Sequence, residues 1–150
     1  MTALAGGRVF HVVFSSDGTH IVSGLDDGFV QAWDAFIGRK LKELKGHTGV
    51  VYSVAFSSDG MQIVSGSDDN SVHVWDALTG MELKELKGHT KRDCSVAFSS
   101  DGTWIVSSSA DMSVQVWDAS TGVKLKKLKG HTGTVFSVAF STDGTLLFGP

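Results

Sequence analysis

Apolar and polar positions alternate in short runs along the chain, and turn-forming residues separate the runs. In the unit from 46 to 87, residues 50–56 carry apolar or small side chains at both parities, which is typical of a strand covered on two faces. Turn signals follow at 59–60, 68–70 and 79–80. The pattern therefore predicts four strands within one unit.

The last of these four segments, residues 82–87, is ambiguous by pattern alone. Its leucines are three positions apart, a spacing that also fits one helical turn. Six residues between two turn signals are too few for a stable helix, so we predict an outer strand. Its lysines, Lys84 and Lys87, fit an exposed edge that is protected against sheet-to-sheet aggregation.

Three short motifs recur at a fixed interval of 42 residues. Asp-Gly begins at 17, 59, 101 and 143, Trp-Asp at 33, 75 and 117, and Gly-His-Thr at 46, 88 and 130. Residues 46–87 and 88–129 differ at 14 of 42 positions, which leaves 28 identities. We predict one all-β array over 1–150, with three four-stranded antiparallel units and a two-strand remnant. The repeats span about 4–45, 46–87, 88–129 and 130–150.

The order of motifs within a unit resembles a known repeat. Gly-His, Val-Ala-Phe-Ser-x-Asp-Gly, Ser-Gly-Ser-x-Asp and Val-Trp-Asp follow one another as in the WD40 repeat, one blade of a β-propeller. The resemblance covers nearly all of the chain from about residue 8 and implies a partial WD40 β-propeller. The proline usual before Asp-Gly is replaced by Ser16, Ser58, Ser100 or Thr142, and Ser also suits a turn.

Each complete unit offers a His, a Ser and an Asp, the residue types of a hydrolase triad. A catalytic site needs one exposed nucleophile, whereas these residues recur in every unit beside a Trp. The resemblance implies instead a structural tetrad of hydrogen-bonded side chains, and we predict that the chain is not an enzyme. The tetrad positions are His47, Ser65, Asp69 and Trp75 in repeat 2, His89, Ser107, Asp111 and Trp117 in repeat 3, and Ser23, Asp27 and Trp33 in repeat 1.

The terminal repeats depart from this pattern. In repeat 1 the histidine position holds Ala5, and in repeat 4 His131 is present while Gly149 stands at the serine position. We therefore expect neither end to be a finished blade. Both ends should expose apolar blade faces, so the chain is either a fragment of a longer propeller or self-associates through those faces.

Composition removes several classes of function. A net charge of −3 argues against a nucleic-acid partner, and no apolar run reaches the roughly 18 residues that a membrane span needs. The chain has one cysteine, Cys94, and no cluster of residues with metal-ligand spacing, which argues against a metal site. It also has no glycine-rich phosphate-binding loop, so we predict no cofactor. With no signal-peptide pattern at the start, we expect a cytoplasmic location, which does not exclude the nucleus.

One segment of repeat 3 breaks an otherwise close match. Asp93 stands where repeats 2 and 4 hold Val51 and Val135. A carboxylate in an inward position is costly unless it is paired. We expect either that Lys91 or Arg92 neutralises this carboxylate or that the strand starts later in this repeat. A frayed strand start and a binding feature explain the altered segment equally well.

The leading functional hypothesis is a non-catalytic protein-protein interaction scaffold with a protein or peptide partner. A second hypothesis is a target-sensing repeat array split from a larger signalling ATPase, because such proteins carry similar runs of nearly identical WD40 units. A hydrolase that uses the His, Ser and Asp set is a distant third. A Walker motif encoded upstream would favour the sensor.

The resemblance also implies where a partner binds, at the top face of the propeller. The matching positions are Arg8, Phe10 and Asp26 in repeat 1, Val50, Tyr52 and Asp68 in repeat 2, Arg92, Cys94 and Ala110 in repeat 3, and Thr134 and Phe136 in repeat 4. Aromatic residues and arginine often carry interface energy. The alternative is that these aromatic side chains only line the central channel.

Overall fold

The computed structural model describes residues 7–141 and 146–149, and the regular elements in these ranges are all strands. No helix in this part of the chain could cross a membrane. The strands are β1 Val9–Phe14, β2 His20–Leu25, β3 Val30–Asp34, β4 Lys40–Leu44, β5 Val51–Phe56, β6 Gln62–Ser67, β7 Ser71–Asp76, β8 Glu82–Lys87, β9 Asp93–Phe98, β10 Trp104–Ser109, β11 Val114–Asp118, β12 Lys124–Leu128, β13 Ser137–Phe140 and β14 Leu146–Gly149.

The strands form three four-stranded antiparallel sheets and one two-stranded sheet, each in sequence order. We call the sheets blade 1 (β1–β4), blade 2 (β5–β8), blade 3 (β9–β12) and the remnant (β13–β14). This confirms the predicted all-β partial propeller. The ambiguous segment of blade 2 is the outer strand β8, as predicted. Ala5, Thr142 and the fourth Asp-Gly pair at 143–144, all discussed above, lie outside the described residues.

The core lies between the blades. One buried cluster joins Val22, Val30 and Leu44 of blade 1 to the following residues of blade 2: Val51, Val54, Ile63 and Trp75. Similar clusters join blade 2 to blade 3 and blade 3 to the remnant. Each blade is thus stabilised by the apolar face of its neighbour. In blade 1, Val12 is exposed, whereas the equivalent Val54 is fully buried.

Hydrogen bonds also connect successive blades. The backbone N–H of Val54 donates to His11 Nδ1 at 3.0 Å, and that of Val96 donates to Ser53 Oγ at 3.1 Å. At the blade turns, Ser16 Oγ donates to the carbonyl of Ser58 at 2.6 Å. Serine at the usual proline position therefore adds a contact between blades, which the turn argument did not predict.

The two ends of a blade differ. Because neighbouring strands are antiparallel, the β5–β6 and β7–β8 turns lie at one end of blade 2, which we call the turn end. The β6–β7 turn lies at the other end with the segments that join successive blades, and we call this the junction end. The same holds for blades 1 and 3.

Both expectations for Asp93 are wrong. Strand β9 begins at Asp93, the same register at which β5 begins at Val51, so the strand does not start later. Within the described residues, neither Lys91 nor Arg92 forms an ion pair with the carboxylate. The Asp93 side chain is fully buried against Gly66 of blade 2, where no Cβ occupies the space. Its nearest basic group is His89 Nε2 at 3.6 Å.

Candidate interaction surface and the buried polar networks

Blade 2 contains a chain of hydrogen bonds from Trp75 to Asp69. Trp75 Nε1 donates to Ser65 Oγ at 2.9 Å, and Ser65 Oγ lies 2.7 Å from His47 Nε2. The other ring nitrogen, His47 Nδ1, lies 2.9 Å from Asp69 Oδ2. Since an ionised carboxylate only accepts, Nδ1 donates to Asp69, and Nε2 of the neutral imidazole then accepts the hydroxyl hydrogen of Ser65. The four positions singled out in the sequence lie in one network.

This network is closed to substrates. Ser65 is fully buried, and its hydroxyl hydrogen is directed to His47. The Asp69 carboxylate also accepts the N–H of Thr48 at 3.0 Å and the hydroxyl of Ser71 at 2.6 Å. A serine nucleophile must be reached by the group that it attacks. The arrangement instead ties the incoming segment of the blade to its central strands.

Blade 3 repeats the same geometry. Trp117 Nε1 donates to Ser107 Oγ at 2.9 Å, His89 Nε2 lies 2.8 Å from that oxygen, and His89 Nδ1 lies 2.9 Å from Asp111 Oδ2. A buried polar group that is fully hydrogen-bonded avoids the cost of desolvation, which explains why the set can recur in a core.

In blade 1 the network is reduced. Trp33 Nε1 still donates to Ser23 Oγ, at a longer 3.2 Å. The carboxylate of Asp27 accepts the N–H of Phe29 within its own turn. No histidine joins these two parts, which agrees with the sequence, since the histidine position of repeat 1 holds Ala5.

At the junction end, the inner strand of each blade carries a β-bulge. The register shifts around Phe10 in the β1–β2 pair, around Tyr52 in β5–β6 and around Cys94 in β9–β10. A bulge leaves one residue unpaired and changes the direction of its side chain. Three of the predicted partner-binding positions are therefore bulge residues, a feature that the repeat pattern did not reveal.

Four of the predicted positions form one contiguous group, which we call the junction surface. Phe10 meets Tyr52 edge to face, with ring centroids 5.5 Å apart. The Arg92 guanidinium lies 5.6 Å from the centre of the Tyr52 ring, and Tyr52 Oη donates to Asp68 Oδ1 at 3.3 Å. The junction surface spans blades 1, 2 and 3.

Backbone hydrogen bonds fix the base of this surface. The N–H of Asp26 donates to the carbonyl of Arg8 at 2.9 Å, and that of Asp68 to Val50 at 2.8 Å. The N–H of Ala110 donates to the carbonyl of Arg92 at 3.2 Å. Each predicted pair within a blade is thus held by the sheet itself.

The remaining positions are less closely connected. Cys94 and Thr134 are half-buried. Phe136 is 60% exposed, compared with 48% for Phe10, but it is not in ring contact with Phe10 or Tyr52. The structure therefore does not bring all of the predicted aromatic residues into one cluster.

The repeat, the blades and the networks agree with a comparison against known families. The family model described as WD domain, G-beta repeat, matches residues 3–34, 38–76, 80–118 and 122–149. The chain belongs to the WD40 family. WD40 repeats are generally protein-interaction scaffolds and are typically non-catalytic. A search of the curated proteins finds no match to this chain.

The carboxylates of the WD40 networks are ionised at neutral pH. Burial acts to raise the pKa of Asp111, but hydrogen bonds from Ser113 and His89 outweigh it and bring the pKa to about 2. At Asp69 burial is likewise outweighed by hydrogen bonds from His47 and Ser71, so its pKa is also lowered. Both carboxylates therefore accept hydrogen bonds over the physiological pH range.

Blade 2 has one further buried titratable group, His73. Its ring lies 3.9 Å from that of His47 between centroids, and its Nδ1 contacts Glu82 Oε1. Burial, followed by the neighbouring His47, lowers the pKa of His73 to about 4. Sequence reasoning missed this pair, although the signal was present. Blades 1 and 3 hold Gln and Lys at the two positions: Gln31 and Lys40, and Gln115 and Lys124.

Three side chains of this region could offer ligands to a metal ion. Ligand atoms of His47, Asp69 and His73 lie within 4.8 Å of one another. Both nitrogens of His47 are already engaged, with Asp69 and with Ser65. A cation could take a His47 nitrogen only by breaking the hydrogen-bonded network, so these residues fit their structural role better than a metal site.

Proposed function

We propose that this chain is a non-catalytic protein-interaction scaffold that binds a protein or peptide at the junction surface. The observation that carries the proposal is Tyr52, which is placed at a bulge between Phe10 and Arg92 on a rigid pair of sheets. Aromatic and arginine side chains are the types that most often dominate binding energy. Because the ring contact with Phe10 and the hydrogen bond to Asp68 already hold the Tyr52 side chain, little ordering is needed on binding.

The charges of this surface support a polar, specific contact. Arg8, Arg92 and Asp68 are exposed, and the half-exposed Asp26 is joined to Arg8 by a backbone hydrogen bond. Both signs are present, so the surface suits a partner with a matched pattern of charges more than a uniformly charged polymer. The alternative that the aromatic residues only line a channel predicts no loss of binding when they are removed.

A paired substitution tests the proposal. Tyr52→Ala with Arg92→Ala should reduce capture of partner proteins by the chain at least about 30-fold, because two hot-spot side chains together exceed 2 kcal/mol. Lys84→Glu on outer strand β8 is the matched control and should leave capture unchanged. If capture survives the paired substitution and is abolished by Lys84→Glu, the binding face lies elsewhere.

The second candidate is a target-sensing array that belongs with a signalling ATPase. It is favoured by the 28 identities between residues 46–87 and 88–129, since arrays of this kind contain nearly identical repeats. Sequencing the coding region upstream separates the two candidates. A Walker motif there supports the sensor, and its absence from the whole reading frame supports the scaffold.

Two further properties belong to the proposal. We place the protein in the cytoplasm, since its one cysteine, Cys94, is free and half-buried.

The exposed Val12 and Phe14 of blade 1 would be covered either by further blades or by a second copy. Light scattering tests the second case, because a monodisperse monomer with native spectra would exclude self-association.

A further inference from the structure

A cleft lies between blades 1 and 2 at the turn end, opposite the junction surface. It has a volume of about 560 Å³, within the range of about 300–1,000 Å³ that is usual for ligand sites. Ala32, Phe56 and Ile63 are among the residues that line it, and Leu41, Met61 and Leu78 add apolar side chains from β4 and from the two blade 2 turns.

The next blade boundary provides an internal comparison. One repeat later, Ala32, Met61 and Leu78 correspond to Val74, Thr103 and Ser120. The alanine removes two methyl groups from the first boundary, and the other two changes replace polar side chains by large apolar ones. Met61 is 68% exposed and Leu78 is 83% exposed. The alanine makes the first boundary roomier than the second, and the methionine and leucine make its mouth more apolar.

A lysine stands beside this cleft. The stem of Lys42 runs along Gly80, where an added Cβ would lie 3.4 Å from Lys42 Cδ. Within the described residues Lys42 forms no ion pair. The nearby Asp76 carboxylate already accepts the N–H groups of Leu78 and Thr79, at 2.9 and 2.8 Å. The cleft therefore combines apolar walls with Lys42 and with Asp76, whose carboxylate is held by backbone N–H groups.

We propose that this cleft binds a polypeptide partner that inserts one large apolar side chain and places an acidic residue next to it against Lys42. The apolar side chain covers Met61 and Leu78, and the carboxylate pairs with the ammonium group. An open mouth with a highly exposed Leu78 suits a side chain on a passing peptide better than a small molecule, which needs most of its surface enclosed. The inference rests on the proposed function, since it assumes that the chain binds proteins, but it uses the other end of the blades.

The test uses the peptide acetyl-Gly-Glu-Leu-Glu-Gly-amide and the whole chain with labelled methionine methyl groups. The Met61 methyl signal should shift with a dissociation constant on the order of 1 mM, while the signal of Met112, at the junction end of blade 3, stays in place. Replacing Leu by Ser in the peptide should abolish the shift. Replacing both Glu by Lys should weaken binding about 5-fold, as should Lys42→Glu in the protein.

Two matched variants address the shape of the cleft. The double variant Ala32→Val, Leu78→Ser places at the first boundary the residue types that the second boundary already contains. It should therefore fold and should lose the Met61 shift. Gln62→Ala is the folded control and should keep it. The proposal is overturned if Met61 does not respond, if the lysine peptide binds equally well, or if decanoate shifts Met61 and the peptide does not. Continued capture of partners through Tyr52 and Arg92 would in each case leave the proposed function intact.

Discussion

Blades 2 and 3 share two thirds of their residues and an almost identical polar network, yet their interiors differ. The three hydrogen bonds of the two networks agree within 0.1 Å, from Trp75 or Trp117 to the carboxylate. Blade 2 begins its inner strand with buried Val51, whereas blade 3 begins with buried Asp93. The shared network therefore tolerates a substitution close to it that would be expected to oppose folding.

The comparison shows which positions define a blade. The network and the turns recur because their hydrogen bonds are satisfied within one blade. Asp93 lies instead at the boundary with blade 2, against Gly66, as Val51 lies against the equivalent Gly24 of blade 1. Burial raises the pKa of Asp93 well above its usual value, and the negative charges of Asp111 and Asp69 add to this. Contacts between blades are thus where nearly identical repeats acquire different properties.

Exchanging the residue types of Val51 and Asp93 should have the largest effect on the free energy of unfolding. Val51→Asp places an unpaired carboxylate in the core of blade 2 and should lower the free energy of unfolding by about 3–5 kcal/mol. Asp93→Val gives blade 3 the side chain of blade 2 and should raise it by about 1–4 kcal/mol. Urea unfolding measures both. Equal stability of Asp93→Val and the unaltered protein would show that the carboxylate is compensated in a way that the structure does not reveal.

The gain from Asp93→Val should depend on pH. Because the folded pKa of Asp93 is raised, the folded state holds a proton that the unfolded state releases above about pH 4. The carboxyl group therefore destabilises the fold progressively as pH rises from about 4 through its folded pKa. The difference between the variant and the unaltered protein should grow over this range, and a constant difference would contradict the assignment.

Removing a network histidine should have the next largest effect. His47→Ala leaves Ser65 without its acceptor and Asp69 without a donor, so we expect a loss of about 1–3 kcal/mol. His89→Ala should cost a similar amount in blade 3. The exposed His20 is the control, since His20→Ala should change stability by less than about 0.5 kcal/mol. An unchanged melting temperature for His47→Ala would refute the structural role.

His73 of blade 2 should have a smaller effect, on how stability depends on pH. With a folded pKa of about 4, His73 stays neutral where an unfolded histidine binds a proton, so stability falls as pH drops from about 6.5 to about 4. His73→Gln with Glu82→Lys gives blade 2 the residue types of blade 3 and should flatten this dependence. Melting temperatures at pH 4.5 and 7.5 measure it. A variant with the same slope as the unaltered protein would exclude His73 as the cause.

The smallest expected effect concerns the hydrogen bonds at the blade turns. Ser58→Ala removes an exposed hydrogen bond of 2.8 Å to the carbonyl of Ser100 and should cost about 0.5 kcal/mol. Ser120→Ala is the control, since the exposed Ser120 hydroxyl forms no hydrogen bond within the described residues. Equal losses in the two variants would show that the bond contributes nothing measurable.

The sequence predicts the parts of this molecule that repeat. Fixed spacing locates the strands, and the WD40 resemblance identifies the residues that the structure joins from Trp75 to Asp69, because these contacts lie within one unit. The sequence predicts the inward position of Asp93 but not that its carboxylate lacks a cationic partner, because side-chain pairing depends on contacts that the repeat does not specify. The bulge at Tyr52 is missed because bulges depend on strand register. The pair of His73 with Glu82 could have been found from their joint difference from the other repeats.

Hydrogen exchange at the indole N–H groups of the intact chain tests most directly whether the polar networks are closed. Closed networks should give slow exchange for Trp75 and Trp117, whose N–H groups donate to buried serines at 2.9 Å, and faster exchange for Trp33, which donates at 3.2 Å. Trp104 has an exposed side chain and serves as the internal reference for rapid exchange. If Trp75 and Trp117 exchange as fast as Trp104, the networks are open, and their serines and histidines are available for chemistry after all.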